Sequence, residues 1–209
     1  MEYGHIGLNK NNQALTVYDE TIILRTAHQD NFIYIFVDVL SDKIFDKGED
    51  TTTICFVTNN DKSTTAKDDD YCFVAILGRE EGFVMQGGSS LDPDKNFKRI
   101  PSHVDFIAIG NVSNENDRYS NIPLASYEFR IPTDLVGRSN TYGFFLVIYE
   151  ANSNKFLTWS QNVEINNQFK IGSTKNWGEM VSSDDSLPEF ALPILILIPS
   201  FIVVFILLD

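Results

Sequence analysis

The sequence is poor in positive charge. Lys and Arg number 16 against 29 Asp and Glu, so the formal net charge is −13 at pH 7. A polyanion is repelled by phosphate backbones, and this composition therefore argues against a nucleic-acid partner. The same charge opposes docking on an anionic lipid surface and suits a solvated surface or cation binding.

Histidine and the short motifs of common enzyme families are also scarce. The three histidines, His5, His28 and His103, lie far apart in the chain and lack the spacing of a zinc site. The chain contains no Gly-x-Ser-x-Gly motif and no phosphate-binding loop. The scarcity of histidine and of these enzyme motifs predicts a binding module rather than an enzyme. A pair of carboxylates for glycoside hydrolysis is the alternative that stays open, because acidic residues are numerous.

Cysteine occurs only twice, at Cys55 and Cys72, each inside an aromatic and β-branched run (51–58 and 70–76). The polar stretch between the runs is centred near residue 63 or 64, as is the midpoint of the two cysteines. If the runs pair as a hairpin, the cysteines lie opposite each other and close enough to bridge. A disulfide would require an oxidising compartment. Two reduced core cysteines are the alternative.

The loop between the cysteines is rich in oxygen ligands. Ca²⁺ takes six to eight oxygens from such a flexible loop, but Thr64 stands where an EF-hand needs glycine. A solvated acidic loop is therefore the default interpretation. The alternative is a Ca²⁺ site with the ligands Asn59, Asp61, Asp68 and Asp70.

Aromatic residues, in contrast, are abundant, with 16 Phe and 8 Tyr, and they favour half-buried strands. Strand-like runs separated by turn signals predict about nine short strands, and 132–137 predicts one helical turn. The predicted strands are 21–27, 31–40, 51–58, 70–77, 82–86, 103–112, 124–131, 142–150 and 155–160. This spacing predicts an all-β fold, an antiparallel, jelly-roll-like β-sandwich.

Two of these strands, at 32–37 and 144–149, are apolar on both faces. One face must point to the core, and the other needs a cover: a loop, a partner, or a ligand stacked on aromatic rings. A loop is the expected cover. If the cover is a ligand, the candidate binding residues are Tyr34, Phe36, Phe145, Tyr149 and Trp159.

The C-terminal residues 190–208 form an uncharged apolar run long enough to cross a bilayer as a helix. Only Asp209 follows this run, so a cleaved processing signal is an alternative. The expected organisation is a sandwich at 1–165, a polar linker at 166–187 and a transmembrane or sorting segment at 188–209. Residues 1–5 show no signal peptide, and we expect an N-terminal piece to be missing.

Residues 30–39, 126–135 and 142–145 resemble the sandwich group of family 9 carbohydrate-binding modules and the related DOMON domains. The resemblance implies a β-sandwich with sugar binding as one function. Paired tryptophans clamp the sugar in binding members, and the two tryptophans here are Trp159 and Trp177. Some DOMON-type domains hold haem between Met and His, for which Met85 and His103 are the available pair.

Leu187-Pro-Glu-Phe190, next to the apolar run, resembles the Pro-Glu-Phe sorting signal of archaeal surface proteins. Asn111-Val-Ser113 is an N-glycosylation sequon with Asn111 as acceptor. Together these features predict a membrane-anchored domain on the extracellular face. Its expected partner is a glycan, an envelope glycoprotein or a surface-layer protein. The alternative is a structural, self-associating envelope protein without a small ligand.

Overall fold

The computed structural model describes residues 5–8, 14–17, 22–88, 97–116, 120–160, 165–166, 170–171 and 174–182. Within these ranges no helix has the length and hydrophobicity needed to cross a bilayer. The predicted transmembrane segment at 188–209 lies outside the described residues.

Two sheets carry the fold, with strands numbered in chain order. All neighbouring strands in them are antiparallel except β1 and β15, which are parallel. The large sheet has the order β1 (His5–Leu8), β15 (Gly178–Ser182), β11 (Thr141–Glu150), β5 (Thr51–Val57), β6 (Asp70–Ile76), β7 (Phe83–Gly87) and β8 (Phe97–Ile100), with β12 (Lys155–Trp159) also paired to β11. The small sheet has the order β2 (Ala14–Val17), β3 (Ile22–Gln29), β4 (Phe32–Val39), β10 (Ala125–Pro132) and β9 (Ile107–Val112). Outside them are β13 (Ile165–Asn166), β14 (Lys170–Ile171), the helical turn α1 (Thr133–Val136) and a 3₁₀ turn (Thr174–Asn176).

The predicted all-β sandwich is confirmed, and each of the nine predicted strands has an observed counterpart. One boundary is wrong: the strand predicted from His103 begins at Ile107. Residues 103–106 form a turn instead, closed by a 3.1 Å hydrogen bond from the Phe106 N–H to the His103 carbonyl oxygen. The strands β1, β2, β8, β13, β14 and β15 were not predicted. They are short, at two to five residues, too short for a period-two pattern to stand out.

The core lies between the two sheets and follows from strand alternation. Ile33, Ile35 and Val37 of β4 point inward and are fully buried. Phe144 and Leu146 of β11 meet them from the large sheet, in the same cluster. The intervening residues of each strand therefore point to the outer faces of the sandwich.

The outer face of the large sheet is covered by the described residues of 165–177, here called the strap. Trp177 of the strap is fully buried. Its ring stacks on Phe145 of β11 at a centroid distance of 5.4 Å and on Phe97 of β8 at 6.3 Å. The strap then leads into β15, which pairs with β11. Within the expected linker at 166–187, Ile171 and Trp177 thus cover the large sheet and β15 extends it. The bounds of the sandwich and of the linker stay a prediction.

The predicted disulfide is confirmed. Cys55 of β5 and Cys72 of β6 are directly opposite in the hairpin, with their Cα atoms 4.0 Å apart, and their sulfurs are bonded. Both cysteines are fully buried in the same outer cluster as Trp177. The strap therefore shields the bridge from solvent.

Gly110 closes one edge of the sandwich by joining β9 to the segment that follows β6. The Gly78 N–H donates to the Gly110 carbonyl oxygen at 2.7 Å, and the Gly110 N–H donates to the Arg79 carbonyl oxygen at 3.1 Å. A Cβ atom at Gly110 would lie 2.5 Å from the Ile76 carbonyl oxygen. Only glycine permits this approach, which fixes β9 of the small sheet against the edge of the large sheet.

Candidate functional site

The outer face of the small sheet holds an open groove of about 620 Å³. Four neighbouring strands form its floor, and the strand registers place the outward side chains in two rows. The first row is Arg25, Phe36, Glu128 and Ile109. The second row is Ala27, Tyr34, Arg130 and Ile107.

Three aromatic rings on β4 run along the groove because alternate residues of a strand share a face. The guanidinium carbon of Arg25 lies 3.9 Å from the centroid of the Phe36 ring. The guanidinium carbon of Arg130 lies 4.9 Å from the centroid of the Phe32 ring. Tyr34 lies between the two stacks and is 38% exposed, with no described guanidinium group over its ring. Tyr34 is therefore the open aromatic surface of the groove.

A buried carboxylate holds Arg25 in place. Asp38 is fully buried, forms an ion pair with Arg25 and accepts a 2.6 Å hydrogen bond from the Ser126 hydroxyl. A buried charge is tolerated when it is paired and hydrogen-bonded in this way. The Arg25 guanidinium is thus oriented before any ligand arrives.

Arg130 and Glu128, two residues apart on β10, supply the remaining charges. The Nε and Nη2 atoms of Arg130 donate to the Asp105 carbonyl oxygen at 3.1 and 3.0 Å. Glu128 is exposed and makes no hydrogen bond or ion pair with any residue that the structure describes. The groove therefore combines two oriented guanidinium donors, an available carboxylate acceptor and an aromatic surface. Such a set can hold a ligand that has an apolar face and several hydroxyl groups.

The predicted ligand-binding residues are divided between the two sheets. Tyr34 and Phe36 lie in the groove. Phe145 is fully buried under the strap, and Tyr149, on the large sheet, stacks on Phe156 at 4.9 Å. Trp159 is 5% exposed and belongs to the core.

Trp159 and Trp177 are not brought together as a clamp, because they lie in separate clusters on opposite sides of the large sheet. The Trp159 ring packs on Gly178, where an added Cβ atom would lie 2.2 Å from it. Trp177 lies on the opposite side of the large sheet and is enclosed by the strap. Both side chains are used for packing.

The predicted Ca²⁺ ligands Asn59, Asp61, Asp68 and Asp70 do not converge. Asp61 is paired with Lys67, whose ammonium group keeps the pKa of that carboxyl below its usual value. The Asn59 amide donates to Asp69 at 2.6 Å. Across the described parts of the chain, no three acidic, histidine or cysteine side chains are grouped to hold a metal ion. The Lys67 ammonium group and the Ser63 N–H, whose approach the sequence pattern could not show, thus occupy both carboxylate oxygens of Asp61.

Asp70 itself is fully buried between the hairpin and the loop. One of its oxygens accepts a 2.7 Å hydrogen bond from the Lys67 N–H, and the other has no partner among the described residues. Desolvation raises the pKa of Asp70 from 3.8 to about 6. The hydrogen bond from the Lys67 N–H thus ties Asp70 to its own loop, and a role of Asp70 as a metal ligand stays a prediction.

The suggested haem ligands are also separated. Met85 lies on β7 opposite Cys72 and packs into the cluster beneath the strap. His103 lies in the turn before β9, where its Nε2 atom is 3.2 Å from an oxygen of Asp134. The structure therefore does not bring the two side chains together.

Asn111 is exposed on β9 and points to the same side as Ile107 and Ile109. Its Oδ1 atom accepts a 2.8 Å hydrogen bond from the Val112 N–H. The predicted glycosylation site therefore lies on the face that carries the groove, and its modification stays a prediction.

The charged residues of the groove were not recognised in the sequence. Arg25, Glu128 and Arg130 occupy the outward positions of ordinary alternating strands, a pattern typical of any solvated sheet face. Only the register across four strands brings them around Tyr34. The available signal was the polar alternation in 126–130 beside the aromatic alternation in 32–36.

Two mostly antiparallel sheets packed face to face make the fold a β-sandwich, with an open groove on the outer face of the small sheet. The chain is similar to a carbohydrate binding module family 9 domain from Caldicellulosiruptor kristjanssonii, solved in complex with cellotriose. The TM-score is 0.51 and the identity 13%, covering 89% of this chain and 97% of that chain. The same module in complex with glucose gives a TM-score of 0.54 at 13% identity, covering 88% of this chain and 100% of that chain.

At this identity the likeness concerns the fold alone. No family model matches the sequence. No curated protein is similar to it in sequence either.

Proposed function

We propose that the chain is a non-catalytic carbohydrate-binding module that holds its ligand in the groove of the small sheet. The observation that carries the proposal is the open ring of Tyr34 between two Arg–Phe stacks, with Glu128 in the neighbouring row of the groove. The similar solved modules contain cellotriose and glucose, which agrees with a sugar as the ligand class.

Each part of the groove has a role in this proposal. The Tyr34 ring receives the apolar C–H face of a pyranose. Arg25 and Arg130 donate hydrogen bonds to ring hydroxyls, and Glu128 accepts them. Because Asp38 and the Asp105 carbonyl oxygen already orient the two guanidinium groups, little side-chain entropy is lost on binding.

The same proposal places the domain on the outer face of a membrane, held by the apolar run at 190–208. The disulfide between Cys55 and Cys72 supports export, because such bonds persist in oxidising compartments. The uncharged length of the run supports a membrane anchor. A glycan of the cell envelope is then the expected ligand.

Replacing Tyr34 by Ala should weaken sugar binding by roughly tenfold to a hundredfold, because the variant loses the stacking surface. The measurement is isothermal titration calorimetry with cellotriose and with the oligosaccharides that the protein retains on a glycan array. Tyr149→Ala is the matched control: Tyr149 is a half-buried tyrosine on the other sheet, far from the groove.

Equal affinity of the Tyr34→Ala variant and the unmodified protein would contradict the proposed site. Equal losses in both tyrosine variants would point to a general effect on folding, which thermal denaturation of the two variants detects separately.

A further inference from the structure

A second depression lies at the end of the groove, with a volume of about 440 Å³. Phe32, Asp105 and Arg138 are among the residues that line it. The Arg130 guanidinium lies over the Phe32 ring and donates a hydrogen bond to the Asp105 carbonyl oxygen. The Arg130–Phe32 stack is thus a shared wall between the groove and the depression.

The depression contains both donors and acceptors around the edge of the Phe32 ring. The Arg138 Nη2 atom donates to Asn31 Oδ1 at 2.8 Å and to the Asp30 carbonyl oxygen at 3.2 Å. Asp134 also lines the depression, with one oxygen 3.2 Å from His103 Nε2 and 67% of its side chain exposed. A short turn holds this geometry, because the Thr133 N–H donates to the Asn31 carbonyl oxygen at 2.9 Å.

The two cavities together exceed the size of one sugar ring. Phe36 and Phe32 are four residues apart on β4, which corresponds to roughly 13 Å along the strand. The depression extends this line beyond Phe32 towards Arg138. A single sugar on the Tyr34 ring would not reach Arg138 or Asp134 in the depression.

The charges of the combined surface nearly cancel. Arg25 is matched by Asp38, and Arg130 faces the same groove as Glu128. In the depression Arg138 is accompanied by the carboxylates of Asp105 and Asp134. An anionic chain would meet these carboxylates and the net charge of −13, so the balance favours an uncharged ligand.

We propose that the depression is a second subsite, and that the groove and the depression together bind a neutral oligosaccharide of three or more sugar units. This inference rests on the proposed function and adds the length and charge of the ligand. The first sugar stacks on Tyr34, the chain crosses the Arg130–Phe32 stack, and the distal sugar is held by Arg138 and Asp134.

The test is the dependence of affinity on chain length. A glycan array of neutral and uronic-acid oligosaccharides of one to six units identifies the retained series, and calorimetry then gives Kd for each length. We expect Kd to fall with each unit up to three or four units and then to stay constant. Arg138→Ala should weaken binding of the tetrasaccharide by about tenfold, the loss expected for one charge-assisted hydrogen bond, and leave the monosaccharide unchanged.

Two further variants show whether a loss of affinity comes from the depression itself or from the removal of any surface charge. Asp134→Asn removes the acceptor charge in the depression while keeping the side-chain shape, and should also affect only the longer ligands. Arg99→Ala is the control, because Arg99 is an exposed arginine over the Phe83 ring, at 4.4 Å, on the other sheet. It should leave all affinities unchanged.

An affinity that does not depend on chain length, or an Arg138→Ala loss that is equal for the monosaccharide and the tetrasaccharide, would overturn the second subsite while leaving the proposed function intact. Tighter retention of the uronic-acid series would overturn the neutral class. Retention of no sugar at all would overturn the proposed function and the inference together.

Discussion

Three aspartates of this protein, Asp42, Asp50 and Asp70, are buried in the folded state, and burial changes the pKa of each carboxyl group. Burial raises the pKa values of Asp42 and Asp50, which also repel each other. The effect is largest at Asp70, where the pKa is raised to about 6. One oxygen of Asp70 is buried without a described partner. At the scale of the residue, Asp70 is thus a source of instability at neutral pH.

Replacing Asp70 by Asn should stabilise the protein at neutral pH. Because the folded state holds the Asp70 proton more tightly than the unfolded state, the stabilising contribution of that proton is present below about pH 4 and is lost as the pH rises through about 6. The advantage of the variant in free energy of unfolding should therefore grow with pH, by up to about 3 kcal/mol, and level off above pH 6. Urea denaturation at a series of pH values measures it.

Asp68→Asn is the matched control, since Asp68 is an exposed residue of the same loop. The same urea series on this variant gives the baseline for replacing an exposed carboxyl of that loop. A pH-independent difference for Asp70→Asn would show that Asp70 is ionised normally in the folded protein.

At the scale of the element, the β5–β6 hairpin and the strap form one unit. The disulfide joins the two strands, and Trp177 covers it together with Phe145. The Lys62 ammonium group donates to the Trp177 carbonyl oxygen at 2.9 Å, and the Thr174 hydroxyl donates to the Ser63 carbonyl oxygen at 2.8 Å. The hairpin loop therefore holds the strap in place from the side.

Replacing Cys55 and Cys72 together by Ala should lower the free energy of unfolding by roughly 3 kcal/mol, because the bridge closes a loop of 17 residues in the unfolded chain. Urea denaturation of the double variant and the oxidised protein gives the difference. Denaturation of the unmodified protein in the presence of a reductant is the control and should approach the variant. Equal stabilities of the oxidised protein and the double variant would show that the disulfide adds no stability to the folded protein.

At the scale of the whole molecule, the described residues cover the outer face of the large sheet and leave that of the small sheet open. The strap covers the large sheet, whereas the groove, Tyr34 and the sequon at Asn111 all lie on the small sheet. Binding, if it uses a sheet face, is therefore expected on the small sheet. The anchor at 190–208 and a glycan on Asn111 are predictions at the same scale. Both would affect how the groove is oriented and how accessible it is at the membrane surface.

The mass of the mature protein purified from native membranes should include the residues of the apolar run and additional mass from a glycan on Asn111. Peptide mapping after protease digestion locates both. The Asn111→Gln variant is the control and should lack the glycan mass. Loss of the residues after about Pro188 would show that the run is a processed sorting signal, and an unmodified Asn111 would contradict the predicted glycosylation.

Much of the fold could be predicted because strands and hairpins depend on local patterns. The alternation in β4 and β11, and the symmetric placement of Cys55 and Cys72 about the polar loop, were sufficient for the strands and the disulfide. The site was predicted only at Tyr34 and Phe36. Phe145 and Trp159 have the same local pattern but are buried by residues distant in sequence, Trp177 and Gly178.

The sequence by itself determined the all-β class, the hairpin register at the cysteines and the existence of two strands with an apolar second face. These features follow from the two-residue period of a strand and from turn residues, which are local. Only the tertiary structure decided which of the two faces is covered and which is open. Alternation cannot distinguish them, because the cover of β11 comes from the strap and the surroundings of Tyr34 come from β3, β9 and β10, which only the packed sheets bring together.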